Sequence, residues 1–165
     1  MTRARTILRV LLRPRSESGT AAIEFGLFLP FLLILLTGTV ELGFAMYEAM
    51  QVSNAVEAGA LYAAKNGFNA ANISAATTGA STLPSQLNAL SATPAPTQFC
   101  GCPSASGSIS NLGPPSGGVC SATACNGGPA STYVQVNASL AHTVIFPTSW
   151  GIPATFTAQA IVRTN

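Results

Sequence analysis

From Phe25 to Val40 the chain runs for sixteen residues without a charge. With residues 20–24 the stretch reaches about 20 residues, the length that crosses a hydrocarbon core of roughly 30 Å as a helix. Arg3, Arg5, Arg9, Arg13 and Arg15 precede it, five of the seven positive charges in the protein. That asymmetry places the segment before the span in the cytoplasm and the rest on the far side. A cleaved secretory signal is disfavoured, because its apolar core is usually about 7–15 residues long. No A-x-A site follows the run either. The expectation is a bitopic inner-membrane protein: residues 1–19 a basic cytoplasmic leader, 20–40 a transmembrane helix, and a periplasmic part beyond.

The helical pattern does not stop at Val40. Leu42, Ala45, Met46, Ala49, Val52, Val56, Ala60 and Ala63 recur at spacings of three and four, as one helix face requires. Glu41 and Glu48 share another face, and Glu57 reads as solvated. Lys65 lies in the last turn and Gly67 is placed to cap it. The reading is one helix from about 20 to 66, bent at Pro30, with residues 41–67 its amphipathic extension. Residues 68–165 form a small domain. In 68–93, Leu83, Leu87 and Leu90 suggest a short second helix. Residues 94–131 read as a Cys-rich loop of Pro, Gly and Ser. Residues 132–163 hold strands: Tyr133–Leu140 and Thr155–Val162 alternate with period two, and His142–Phe146 extends the first run or forms its own strand. The fold class is an α+β membrane protein with a long helix and a small antiparallel β head.

Only 7% of residues are charged, against about a quarter in an ordinary soluble domain. After Lys65 the charge-bearing side chains are His142 and Arg163. A phosphate-binding face needs several Lys or Arg together, so nucleic acid is not expected as a partner. Residues 66–165 contain no Asp or Glu, which leaves little for acid–base catalysis. His142 has no Ser–Asp or Cys partner identifiable in the sequence and reads as structural. Tyr133 and Trp150 read as core or anchoring aromatics. No enzymatic activity and no cofactor are expected.

Cys100, Cys102, Cys120 and Cys125 lie where the topology predicts an oxidising compartment. Four cysteines allow three pairings. Closing a loop of about 20 residues stabilises by roughly 3 kcal/mol, which favours both bridges running from Cys100/Cys102 to Cys120/Cys125. The rival is a four-thiolate zinc site, which the C-x-C and C-x4-C spacings fit less well than paired C-x2-C knuckles.

Glu24 is the one ionisable residue in 20–40. A carboxylate at mid-bilayer costs about 3 kcal/mol, less near a helix end. Either it snorkels to the headgroups, or it meets a cation within a helix bundle. The residues around it favour the second reading. G-T-A-A-I-E-F-x-L-x-L-P followed by G-x-x-E-L-G resembles the TadE-like family of the tight-adherence (Flp) pilus system, with Gly19, Ala22, Glu24, Phe25, Pro30, Gly38 and Glu41 at the motif positions. FCGCP…CSATAC…YVQVNASL and FTAQAIVR resemble the family's later part more loosely. The resemblance implies a type IV pilin-like minor pilin or pseudopilin, cut by a prepilin peptidase between Gly19 and Thr20. The new amine of a neighbouring subunit would then pair with Glu24. It also implies other pilins, the tight-adherence membrane platform and membrane lipid as partners. Gly26, Pro30, Gly38 and Gly43 would serve helix packing, since small residues let helices approach closely. The alternative is an uncleaved, membrane-anchored periplasmic binding or scaffold protein.

Overall fold

The computed structural model describes residues 18–81, 90–120, 125, 128–143 and 151–164. The expectations for the arginine-rich leader before Ser18, for Leu83 and Leu87, for residues 144–146 and for Trp150 fall outside the described residues. The fold is α+β: a long apolar helix followed by an antiparallel sheet tied by two disulfides. The chain divides into two compact units, Met1–Val40 and Glu41–Asn165.

Helix α1, Ser18–Asn66, contains the whole apolar run and continues through Pro30. In its first unit the large side chains from Ile23 to Leu36 are exposed. The hydroxyls there are satisfied inside the helix. Thr37 Oγ1 donates to the Leu33 carbonyl at 2.7 Å, and Thr39 Oγ1 donates to the Leu36 carbonyl at 2.8 Å. Such back-bonding hides polar groups from an apolar surrounding. α1 is long and apolar enough to cross a membrane and is a candidate anchor. It ends as expected: Gly67 has φ +77 and its N–H bonds the Ala63 carbonyl at 2.9 Å, an αL cap.

The second unit begins with the rest of α1. Its buried face runs through Glu41, Ala45, Val52, Ala55, Val56, Ala60 and Ala63. This corrects the sequence reading at the N-terminal end of the face. Leu42 and Met46 are exposed, whereas Glu41 is buried and Glu48 is nearly so. The reason is that residues 42–50 are apolar almost all round the helix, so periodicity alone cannot say which side a neighbouring layer will cover.

Within residues 68–93 the structure describes one helix, α2, Ala70–Gly79, capped by Asn69, whose side chain accepts from the Asn72 N–H at 3.1 Å. An Asn cap of this kind stabilises by about 1 kcal/mol. Ile73 and Thr77 are its buried residues.

The sheet has the order β2-β1-β3-β4, with β1 Thr97–Pro103, β2 Ile109–Asn111, β3 Ser131–Ala141 and β4 Thr155–Thr164. All pairings are antiparallel. β3 and β4 fall on the two alternating runs. β1 and β2 lie inside the stretch 94–131 that reads as loop, because TQFCGCP has no period-two apolar signal and becomes a strand through its partner β3. Val134, Val136, Ala138 and Leu140 of β3 join Val52, Ala55, Val56, Ala63 and Ile73 in one core. On the other face of β3, Tyr133 stacks on Phe99 with ring centroids 5.8 Å apart.

The disulfides are Cys100–Cys120 and Cys102–Cys125. Both run between the two cysteine pairs as expected, and they take up all four thiols, which displaces the zinc alternative. Cys100 and Cys102 are two apart on β1 and so share one face of the strand. The two bridges close loops over 20 and 23 residues and tie an otherwise apolar-poor segment to the sheet.

Gly59 is where α1, α2 and β3 meet. A Cβ there would lie 2.1 Å from Thr77 Oγ1 and 2.9 Å from Val136 Cγ1. Thr77 is fully buried and is held by its bond to the Ile73 carbonyl at 2.8 Å, so it has little room to yield. Gly→Ala in an exposed helix interior normally stabilises by about 0.5–1 kcal/mol. At Gly59 overpacking, typically about 1–3 kcal/mol, opposes that gain and wins. Gly59→Ala is expected to destabilise the head, read as a lower midpoint in denaturant unfolding of the detergent-solubilised protein, while Ala58→Gly destabilises by propensity alone.

Candidate functional site

Two groups of residues carry the functional question: the Gly19–Glu24 segment at the start of α1, and the acids that follow the apolar run. Gly19, Thr20 and Glu24 lie in the first turns of α1, and all three are exposed. Gly26, Gly38 and Gly43 sit on the helix surface, and a Cβ added at any of them, or at Gly19, would meet nothing within 4 Å. Their lack of a side chain is therefore not demanded by any contact among the described residues. Pro30 stands four residues after Gly26. A proline removes the helical bond to the carbonyl four residues earlier, so the Gly26 carbonyl is left without that partner.

The second group was only half visible in the sequence. Glu41 is 2% exposed, and neither of its carboxyl oxygens has a hydrogen-bond partner among the described residues. About two turns further on, Glu48 meets His142, with Nδ1 and Oε2 2.5 Å apart. An ionised carboxylate can only accept, so Nδ1 of His142 carries the proton and donates. The ring is held from two other directions. Its edge meets Phe156 at 5.5 Å between centroids, and its backbone N–H bonds the Ala154 carbonyl at 2.9 Å. Nε2 is buried without a partner among the described residues. The pair joins α1 to the end of β3 and the start of β4. The seven-residue spacing of Glu41 and Glu48 signals a shared face, but nothing in the sequence says that this face is the one covered by the sheet. A contact across 94 residues of chain leaves no local mark.

These features can be compared with known families. Residues 19–61 match the TadE family model, which describes a TadE-like protein. This segment of the chain is TadE-like. The TadE-like segment begins at Gly19, contains Glu24, Pro30, Gly38 and Glu41, and ends at Leu61, within α1. The cysteine segment and the strands lie beyond it. No curated protein and no solved structure matched the chain.

Within the described residues no group of three His, Cys, Asp or Glu side chains is placed to hold a metal ion. The Glu48–His142 pair lies within the second unit, Glu41–Asn165. Removing either member strands a buried polar partner, which costs about 1–3 kcal/mol, more when charge is involved. His142→Ala and Glu48→Ala are each expected to destabilise by about 2 kcal/mol. The double variant should cost clearly less than the sum in a double-mutant cycle. Additive losses would show that the two side chains do not interact.

Proposed function

We propose that the protein is a minor pilin or pseudopilin of a tight-adherence pilus, made as a precursor and cut between Gly19 and Thr20 by a prepilin peptidase. One observation carries this reading. The TadE-like match starts at the residue where the Gly19–Glu24 pattern calls for cleavage, and it runs along the apolar helix that would anchor the protein before assembly.

Cleavage after Gly19 turns Thr20 into a new N-terminus and makes Glu24 the fifth residue. The amine is a cation at neutral pH. Within an assembly of such helices, the amine of one subunit and the Glu24 carboxylate of the next would neutralise each other. Each would otherwise bear the cost of a charge in an apolar setting. The glycines support the same picture, because bare backbone at the exposed Gly26 and Gly43 and the half-buried Gly38 suits close approach by other helices. The partners on this reading are the prepilin peptidase, other pilins or pseudopilins, and the membrane platform of the system. The protein sits in the bacterial inner membrane with the leader in the cytoplasm and the head in the periplasm. Its role is structural rather than catalytic.

Two measurements test the proposal. Mass spectrometry of the protein from its native host is expected to show Thr20 as the first residue; a Met1 or Thr2 start in processing-competent cells points instead to a permanently anchored scaffold. Glu24→Val is expected to insert into the membrane normally and to lower incorporation into the assembly. Wild-type assembly by that variant overturns the amine–carboxylate pairing.

A further inference from the structure

The two edges of the sheet are unlike. β2, Ile109–Asn111, is three residues long. β4, Thr155–Thr164, is ten residues long and pairs with β3 continuously, without a bulge. Natural edge strands are kept short or carry Lys, Pro or a bulge, because a long flat edge captures other strands. β4 has no Lys and no Pro, and its one charge, Arg163, stands at its end. Among the described residues nothing pairs with its outer side.

Two observations fix the hydrogen-bond phase of that edge. The His142 N–H donates to the Ala154 carbonyl at 2.9 Å, in register with the β3–β4 pairs. Bonded and unbonded pairs alternate along an antiparallel ladder. Phe156, Ala158, Ala160 and Val162 therefore turn their backbone groups to β3, while Thr155, Thr157, Gln159, Ile161 and Arg163 turn theirs outward. The opposite side of β3 gives the same phase. Ser139, the partner of Thr157, exchanges both of its backbone bonds with Ser91, at 2.9 and 2.8 Å, and has none left for β4. The free edge is thus a regular row of N–H and C=O groups. Its side chains alternate as well. Phe156, Ala158, Ala160 and Val162 are half-buried against the core and carry its apolar surface out to the edge. Thr155, Thr157, Gln159, Ile161 and Arg163 are exposed on the other face.

Such an edge binds by strand addition, in which main-chain bonds supply affinity and alternate side chains supply selectivity. The selecting features here are an apolar stripe on one face and a cation at one end of the other. Arg163 has no ion-pair partner among the described residues. Residues 66–165 contain no Asp or Glu, so a second copy's sheet has no acid to bring to it. We propose that the outer edge of β4 is the docking site for an extended strand of another protein. That strand places apolar side chains at alternate positions beside Phe156, Ala158, Ala160 and Val162, and an acid beside Arg163. Docking of this kind concerns the head alone and holds whether or not the chain is cut at Gly19.

The test uses the full-length, disulfide-bonded protein in detergent, with amide hydrogen exchange read residue by residue by NMR. The probe is a decapeptide alternating Thr and Val, with Glu in place of its first Thr. Its Val nitrogens are methylated, so it pairs through one edge and does not stack on itself. Without peptide, the amides of Thr155, Thr157, Gln159, Ile161 and Arg163 are expected to exchange fast, and those of Phe156, Ala158, Ala160 and Val162 slowly. The first set is expected to slow by about tenfold once free peptide is roughly ten times its Kd. No slowing at millimolar peptide overturns the docking site. Protection of the first set without peptide also overturns it: if independent of protein concentration, the chain itself covers the edge; if rising with concentration, a second copy does. A peptide methylated on every nitrogen is expected to have no effect, and slowing by it overturns main-chain pairing. Arg163→Gln is expected to weaken the Glu peptide several-fold and to leave the peptide with Thr restored unchanged. Equal loss for both peptides, or loss for neither, overturns the acidic partner.

Discussion

The head depends on how closely a helix can approach a sheet. At Gly59 the backbone of α1 comes so near to Thr77 of α2 and Val136 of β3 that no side chain fits between them. Ala55, Ala60 and Ala63 keep the same face thin on either side. Small residues there let the valines of β3 and the isoleucine of α2 reach a common core. In a head with few large apolar residues of its own, α1 supplies one wall of that core. Removing the helix face from Val52 to Ala63 would remove the wall and leave the sheet with an uncovered apolar face. The disulfides serve the other side of the sheet, where β1 and β2 contribute little apolar area and are held by covalent ties.

One helix therefore meets two surroundings, and its polar groups are arranged accordingly. In the uncharged run the threonine hydroxyls turn back onto helix carbonyls, so an apolar environment meets no free donor. After Val40 the acids turn inward, one into the buried face and one onto His142. Only beyond Ser53 do polar side chains face outward in the ordinary way. This ordering is what the TadE-like segment contains, since the match covers the helix to Leu61 and stops there. The matched segment thus holds an apolar helix and the first part of the face that receives the head.

Much of this was readable in advance because helices and long strands leave periodic marks. The helix from Ser18 to Asn66, its Gly67 cap and the two long strands follow from spacing and from the two runs of period two. The disulfide partners were narrowed to bridges between the two pairs by loop length. Three features were not readable. β1 and β2 carry no alternation and form because β3 offers a free edge. α2 begins at Ala70 after the Asn69 cap, in a stretch of Ala, Ser, Thr and Asn that carries no apolar period. The side of α1 that faces the sheet was misassigned at Leu42 and Met46, because a helix apolar on every side has no phase.

The chain by itself determined that a long uncharged helix exists, where its positive charges lie, that a carboxylate stands five residues after a glycine at its start, and that four cysteines follow. These are local or compositional properties, set by hydrophobicity and spacing along one segment. The tertiary structure alone decided which side of the helix is covered, which cysteine meets which, and that Glu48 pairs with His142. Those outcomes depend on the approach of segments far apart in sequence, and the energy that selects them, close packing and burial of polar pairs, exists only once both surfaces are brought together.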